Sequence, residues 1–151
     1  MPAQLTYSQN MVYGLPGQVA HDFGQGDIVS RLAEGAISPG VIVSRGTDKD
    51  NQVAAGGDAT AWGLSIRDVA REVDSGGDPT FTDKSVLPVM REGYAWVTVA
   101  DAGDPGDVLN YVDASGAIGV GAPEAGETAL PEVTLETTVT AGGIAIVRVN
   151  F

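Results

Sequence analysis

Glu132-Val-Thr-Leu-Glu-Thr-Thr-Val-Thr140, then Ala141-Gly-Gly143, then Ile144-Ala-Ile-Val-Arg-Val149: this stretch decides how the rest of the chain is read. In its first part Val133, Leu135, Thr137 and Val139 alternate with Thr134, Glu136, Thr138 and Thr140. Successive side chains of a strand point to opposite faces, so the pattern predicts a strand with one buried and one solvated face. Ala141-Gly-Gly143 supplies the positive φ that a short hairpin loop requires. Ile144–Val149 is nearly all apolar, which puts the returning strand inside a sheet or under another layer.

The same signals recur towards the N-terminus. Gly40-Val-Ile-Val-Ser44 is a β-branched run closed by the polar turn Gly46-Thr-Asp-Lys-Asp-Asn51. Ala61–Ile66 follows, and then Arg67–Val73, where helix and strand patterns overlap. Ser85–Met90 and Gly93–Ala100 carry the strongest mid-chain strand signal; in the second, Ala95, Val97 and Val99 oppose Tyr94, Trp96 and Thr98. Asp107–Val112 and Ala117–Val120 come next, with turns or loops at Asp74–Pro79, Asp101–Gly106 and Gly121–Thr128. Many short strands separated by turn chemistry predict an all-β fold. We read a single β-sandwich, jelly-roll or β-barrel domain over residues 27–151 with at most one short helix. Residues 1–26, rich in Gln, Asn and Gly, read as an extended N-terminal arm or loop; Tyr7, Met11, Tyr13 and Phe23 favour an ordered arm.

Composition narrows the chemistry. The 151 residues include no cysteine and one histidine, His21, in a polar context that suits a surface or turn. A Cys/His nucleophile pair, a multi-histidine metal site and a structural zinc site are excluded. The 21 Gly and 8 Pro mean many turns. A formal net charge of -12, with eight scattered Lys and Arg, argues against nucleic acid and anionic membranes as partners. No apolar run approaches a membrane helix, and the first residues lack the pattern of a signal peptide. We therefore expect synthesis in the cytoplasm.

Twenty carboxylates could still hide a site. Asp48-Lys-Asp50-Asn51 opens like a calcium loop, but Val53 stands where the EF-hand needs Gly and no Glu follows at its last position. A solvated turn is the better reading. Asp101, Asp104 and Asp107 surround a Gly-Asp-Pro-Gly turn, where Asp serves by bonding nearby backbone N–H groups. Nothing marks two carboxylates as a matched acid/base pair. We expect no catalytic residues, no metal and no cofactor.

Tyr7-Ser-Gln-Asn-Met11, Gly14-Leu-Pro-Gly-Gln-Val19 and Asp27-Ile-Val-Ser-Arg31 together resemble the opening of the structural cement (head decoration) proteins of tailed phages. In the same order, Pro39–Val43, Trp62-Gly-Leu-Ser-Ile66, Val89-Met-Arg-Glu-Gly-Tyr-Ala-Trp-Val97, Asp104-Pro-Gly-Asp-Val108 and Gly142–Val149 are similar to later segments of that family. A fainter similarity of Pro39–Ser44 to trimeric dUTPases fails, because the Asp that family needs and its Gly-rich C-terminal motif are missing.

The cement resemblance implies a non-enzymatic protein on the capsid exterior of the virion. It would bind the major capsid protein as a homo-dimer or homo-trimer and stabilise the expanded head against its pressurised DNA. The candidate interface residues are Tyr7, Met11 and Tyr13 on the arm, the anchors Trp62 and Trp96, and Arg91, which could meet a capsid carboxylate or close a turn. At least one of the two tryptophans is expected in the core. The alternative class is a β-sandwich adhesion or carbohydrate-binding module. A third, a carboxylate hydrolase, needs two interacting acids in one pocket.

Overall fold

The computed structural model describes residues 14–20, 26–57, 60–68 and 79–151. These residues form ten strands and, among them, no helix. The strands are β1 (Asp27–Glu34), β2 (Ile42–Arg45), β3 (Gln52–Ala55), β4 (Gly63–Ser65), β5 (Val86–Thr98), β6 (Leu109–Val112), β7 (Ile118–Val120), β8 (Glu127–Ala129), β9 (Val133–Leu135) and β10 (Ile144–Asn150). The all-β expectation holds, and the architecture is a barrel joined to a second sheet.

The larger sheet runs β1-β3-β2-β4-β5-β10-β9, and a further pairing of β1 with β5 closes its first five strands into a barrel. Closure removes the open edges that five short strands would otherwise present. The smaller sheet is β7-β6-β8. One strand serves both halves: β5 pairs with β1 from Leu32↔Val86 to Asp27↔Glu92, and with β10 from Asn150↔Glu92 to Ile144↔Thr98. The changeover at Glu92 is followed by Gly93, at φ 137°. A Cβ there would lie 2.9 Å from the Cα of Gly26, so the close approach of the two chains needs glycine. The two expected segments Ser85–Met90 and Gly93–Ala100 are therefore one bent strand.

Two clusters of buried side chains follow from this layout. Ala33, Ile37, Val43, Val53, Trp62, Phe81, Leu87 and Val89 fill the barrel. Ile42, Leu64 and Met90, one residue out of step along the same strands, face the other way into a larger cluster with Ala95, Val97, Tyr111, Ile118 and Val147. The wall formed by β2, β4 and β5 is thus buried on both faces, which is why Val41-Ile-Val43 reads as a continuous apolar run. β10 lies between β5 and β9 with Ala145, Ile146, Val147 and Val149 buried, as its composition predicts.

The strand expected over Glu132–Thr140 is shorter. Beyond Leu135 one backbone bond remains, from Glu136 N to Ile146 O at 2.9 Å, and the return bond is lost because the N–H of Ile146 donates to the Thr137 hydroxyl at 3.0 Å. The chain then crosses to Gly103, where Val139 makes a two-bond bridge at 2.9 and 3.0 Å. Val133, Leu135 and Val139 are nevertheless buried, so the alternation was read correctly and only the pairing changes. The ambiguous segment Arg67–Val73 falls largely outside the described residues.

Candidate functional site

Three barrel strands each place an arginine in the inward row, two residues from a buried lumen side chain. On β1, Ala33 is buried in the lumen and Arg31 lies two residues before it; on β2, Arg45 follows Val43 by two; on β5, Arg91 follows Val89 by two. A spacing of two keeps a side chain on the same face, so all three arginines continue lumen-facing rows. They converge on Trp62, which precedes β4 and is 9% exposed. The guanidinium carbons of Arg31, Arg45 and Arg91 stand 4.9, 4.9 and 4.4 Å from the centroid of its ring.

This arrangement explains how charge is tolerated at the mouth of a barrel. Each side chain sets its cation against the indole quadrupole, an attraction of roughly 0.5–1 kcal/mol at an exposed site and about 2 when desolvated. Arg45 stays exposed and donates to the carbonyl of Lys49, and Arg31 donates to the carbonyl of Ser30 at 2.8 Å. Arg91 is half-buried. Burial holds its pKa below the ordinary arginine value, the cations of Arg45 and Arg31 push the same way, and Asp27 opposes them. Its Nε and the Trp62 Nε1 are buried with no hydrogen-bond partner among the described residues. Three fixed cations sharing one ring form a site suited to carboxylate, since guanidinium forks match that group in two-bond geometry.

The other sequence-derived candidates lie elsewhere. Trp96 is half-buried on β5 beneath the chain's own N-terminal segment: a Cβ on Gly14 would fall 2.1 Å from its ring. Gly17 N donates to Trp96 O at 2.7 Å, and Trp96 N donates to Gln18 O at 2.8 Å. The described part of the arm thus runs along β5 with a bridge between Val19 and Ala95. Tyr7, Met11 and Tyr13 lie outside the described residues. Trp62 and Arg91 are brought together; Trp96 is not part of that group. Arg31 and Arg45 were missed as site residues: only the step of two from Val43 to Arg45 lies beside a segment readable as a strand, and nothing local marks the β1 row.

Other clefts offer less chemistry. One of about 320 Å³ lies between Pro16, Pro39, Val41, Arg67, Thr98 and Ile118, and contains no carboxylate. Two more, of about 280 and 270 Å³, hold one carboxylate each, Glu132 and Asp48. Among the described residues no three His, Cys, Asp or Glu side chains are grouped to hold a metal ion. No helix among them is long and apolar enough to cross a membrane.

A family model described as structural cement protein (E217 gp24/Pam3 gp6) matches residues 3–150. Among solved structures, a chain from the capsid of Myoviridae phage XM1 is similar, with a TM-score of 0.77 and 19% identity. The match covers 99% of this chain and 98% of that one. At that identity the likeness carries the fold. No curated protein matches the chain.

Proposed function

The chain belongs to the phage structural cement protein family, whose members are capsid-associated structural proteins of the virion, and from that premise we propose that it clamps the outside of an expanded head. The observation that carries the reading is the length of the family match, residues 3–150, which leaves almost no part of the chain to another role. The partner is the major capsid protein, and the working unit is a small homo-oligomer that touches several capsid subunits. A protein that binds only the expanded lattice stabilises it by mass action against the pressure of packaged DNA. Many copies, each with a modest contact, add avidity when one oligomer spans neighbouring subunits. The role is non-enzymatic. Tyr7, Met11 and Tyr13 on the arm, and the face around Trp62 and Arg91, are the contact candidates.

The test is co-sedimentation of the purified chain with undecorated heads of its source phage, before and after expansion. Saturable binding to expanded heads at a fixed ratio per capsid subunit is the expected result. A well-folded chain that sediments with neither form overturns the reading.

A further inference from the structure

We propose that the arginine-lined mouth of the barrel receives carboxylates from the acidic half of a second copy of this chain, in a head-to-tail contact. The inference deepens the oligomeric part of the cement reading and rests on it. Its first support is the mouth itself. One arginine laid over Trp62 would cap the lumen; three place mutually repelling cations on one ring, with Asp27 among the described residues offsetting Arg91. Arg45 is exposed at this mouth and Arg31 is half-buried beside it, so their guanidinium edges are the donors an incoming carboxylate meets first.

The second support is how charge is divided along the chain. Seven of its eight Lys and Arg fall within residues 1–91, alongside eleven Asp and Glu. Residues 92–147 hold nine Asp and Glu and not one Lys or Arg. That acidic run builds the C-terminal part of β5, the whole β6–β9 region and the start of β10. Its densest exposed point is the turn with Asp101, Asp104 and Asp107. Asp104 Oδ1 accepts from the Thr138 hydroxyl at 2.8 Å and Asp107 Oδ2 accepts from Asp104 N at 2.9 Å, leaving the second oxygen of each for a new donor. The molecule therefore carries both partners of the contact on different parts of its surface. Two copies of net charge -12 repel at a distance, so association needs such a local match. A contact between unlike surfaces is heterologous and closes into a ring when its rotation permits.

Sedimentation equilibrium of the full chain tests this. Salt screens both the long-range repulsion and the local pairs, so substitution is the sharper probe. The wild type should self-associate, and Arg45→Gln, at an exposed strand end, should raise the dissociation constant by about tenfold or more while circular dichroism shows the variant still folded. Charge reversal adds a stricter arm. Arg45→Glu alone and Asp104→Lys/Asp107→Lys alone should both be monomeric, and an equimolar mixture of the two should reassemble, each copy supplying what the other's mouth or turn now needs. A monomeric wild type, an oligomer indifferent to Arg45→Gln, or folded variants that fail to reassemble overturns the proposal. So does an intact Arg45→Gln oligomer that no longer binds heads, which would put the arginines against the capsid subunit. A wild-type oligomer with the expected substitution pattern but no affinity for heads would instead leave this contact standing and remove the clamp.

Discussion

The guanidinium of Arg91 lies 4.4 Å from the centroid of the Trp62 ring, and the same ring is the largest apolar surface at the mouth of the barrel core. One side chain thus closes the lumen and carries the cations above it. Trp62→Ala should cost about 3–5 kcal/mol of folding stability, the range for emptying an aromatic site in a packed core. Trp62→Phe, which keeps a ring in the same place, should cost clearly less. Urea denaturation of the two variants checks both values, and a Trp62→Ala loss under about 1 kcal/mol would remove the ring from the core.

The barrel and the smaller sheet are locked by backbone contacts that exclude a side chain. Ile42 N donates to Gly116 O at 2.8 Å, and Gly56 N donates to Ile42 O at 2.8 Å. Gly116 has φ 72°, and a Cβ on it would sit 2.0 Å from Ile42 O. Gly116→Ala must therefore break the contact as well as strain the backbone, and should cost more than about 2 kcal/mol. Gly142→Ala is the control: φ is 71°, matching Gly116, but nothing lies within 4 Å of the added Cβ, so only the backbone cost of about 1–2 kcal/mol applies. Equal losses in thermal denaturation would mean that the contact contributes nothing.

These cases show what was legible in the sequence. Strands β2, β4, β5 and β10 are rich in apolar and β-branched residues, and burial on one or both faces made them visible. β1, β3 and β8 were not foreseen as strands. Only Ala33 of β1 and Val53 of β3 are buried, and β8 has no buried residue, so their registers come from partners distant in the chain. Barrel closure depends on the pairing of β1 with β5, a relation between segments more than fifty residues apart that local pattern does not encode. The site was half legible for the same reason. Trp62 and Arg91 stood out by residue type, but that Arg31 and Arg45 share their ring follows only once the barrel has closed.

Tyr111 is fully buried among apolar side chains, and its hydroxyl donates to Gly57 O at 2.8 Å across the junction between sheet and barrel. Tyr111→Phe keeps the ring and removes the donor. The Gly57 carbonyl then loses that donor, and the expected loss is about 1–2 kcal/mol. Hydrogen exchange offers a more local view: amides at the junction, Gly56 and Gly57, should lose protection while those of β10 keep it. Uniform change across both regions would mean that Tyr111 acts on global stability alone.

Acid should loosen the β2–β3 turn before it reaches either core. Glu34 accepts from the Thr47 hydroxyl at 2.7 Å and from Thr47 N at 2.5 Å, and these two bonds hold its pKa below the ordinary 4.5 against slight burial and the nearby Asp83. Asp48, bonded by the Asn51 side chain and the N–H of Asp50, is likewise held below 3.8. A depressed carboxylate pKa means that the unfolded chain takes up protons first as pH falls. The stabilisation is therefore complete above the ordinary values and is lost as pH drops through the folded-state values. Thr47→Ala removes both the hydroxyl bond and its hold on the N–H geometry, so the Glu34 carboxyl should titrate nearer 4.5 in carbon-detected NMR. Its melting temperature should fall below that of the wild type at neutral pH, with the gap closing in acid. A gap that persists unchanged below the folded-state pKa would show that Thr47 acts through the turn's conformation and not through the charge of Glu34.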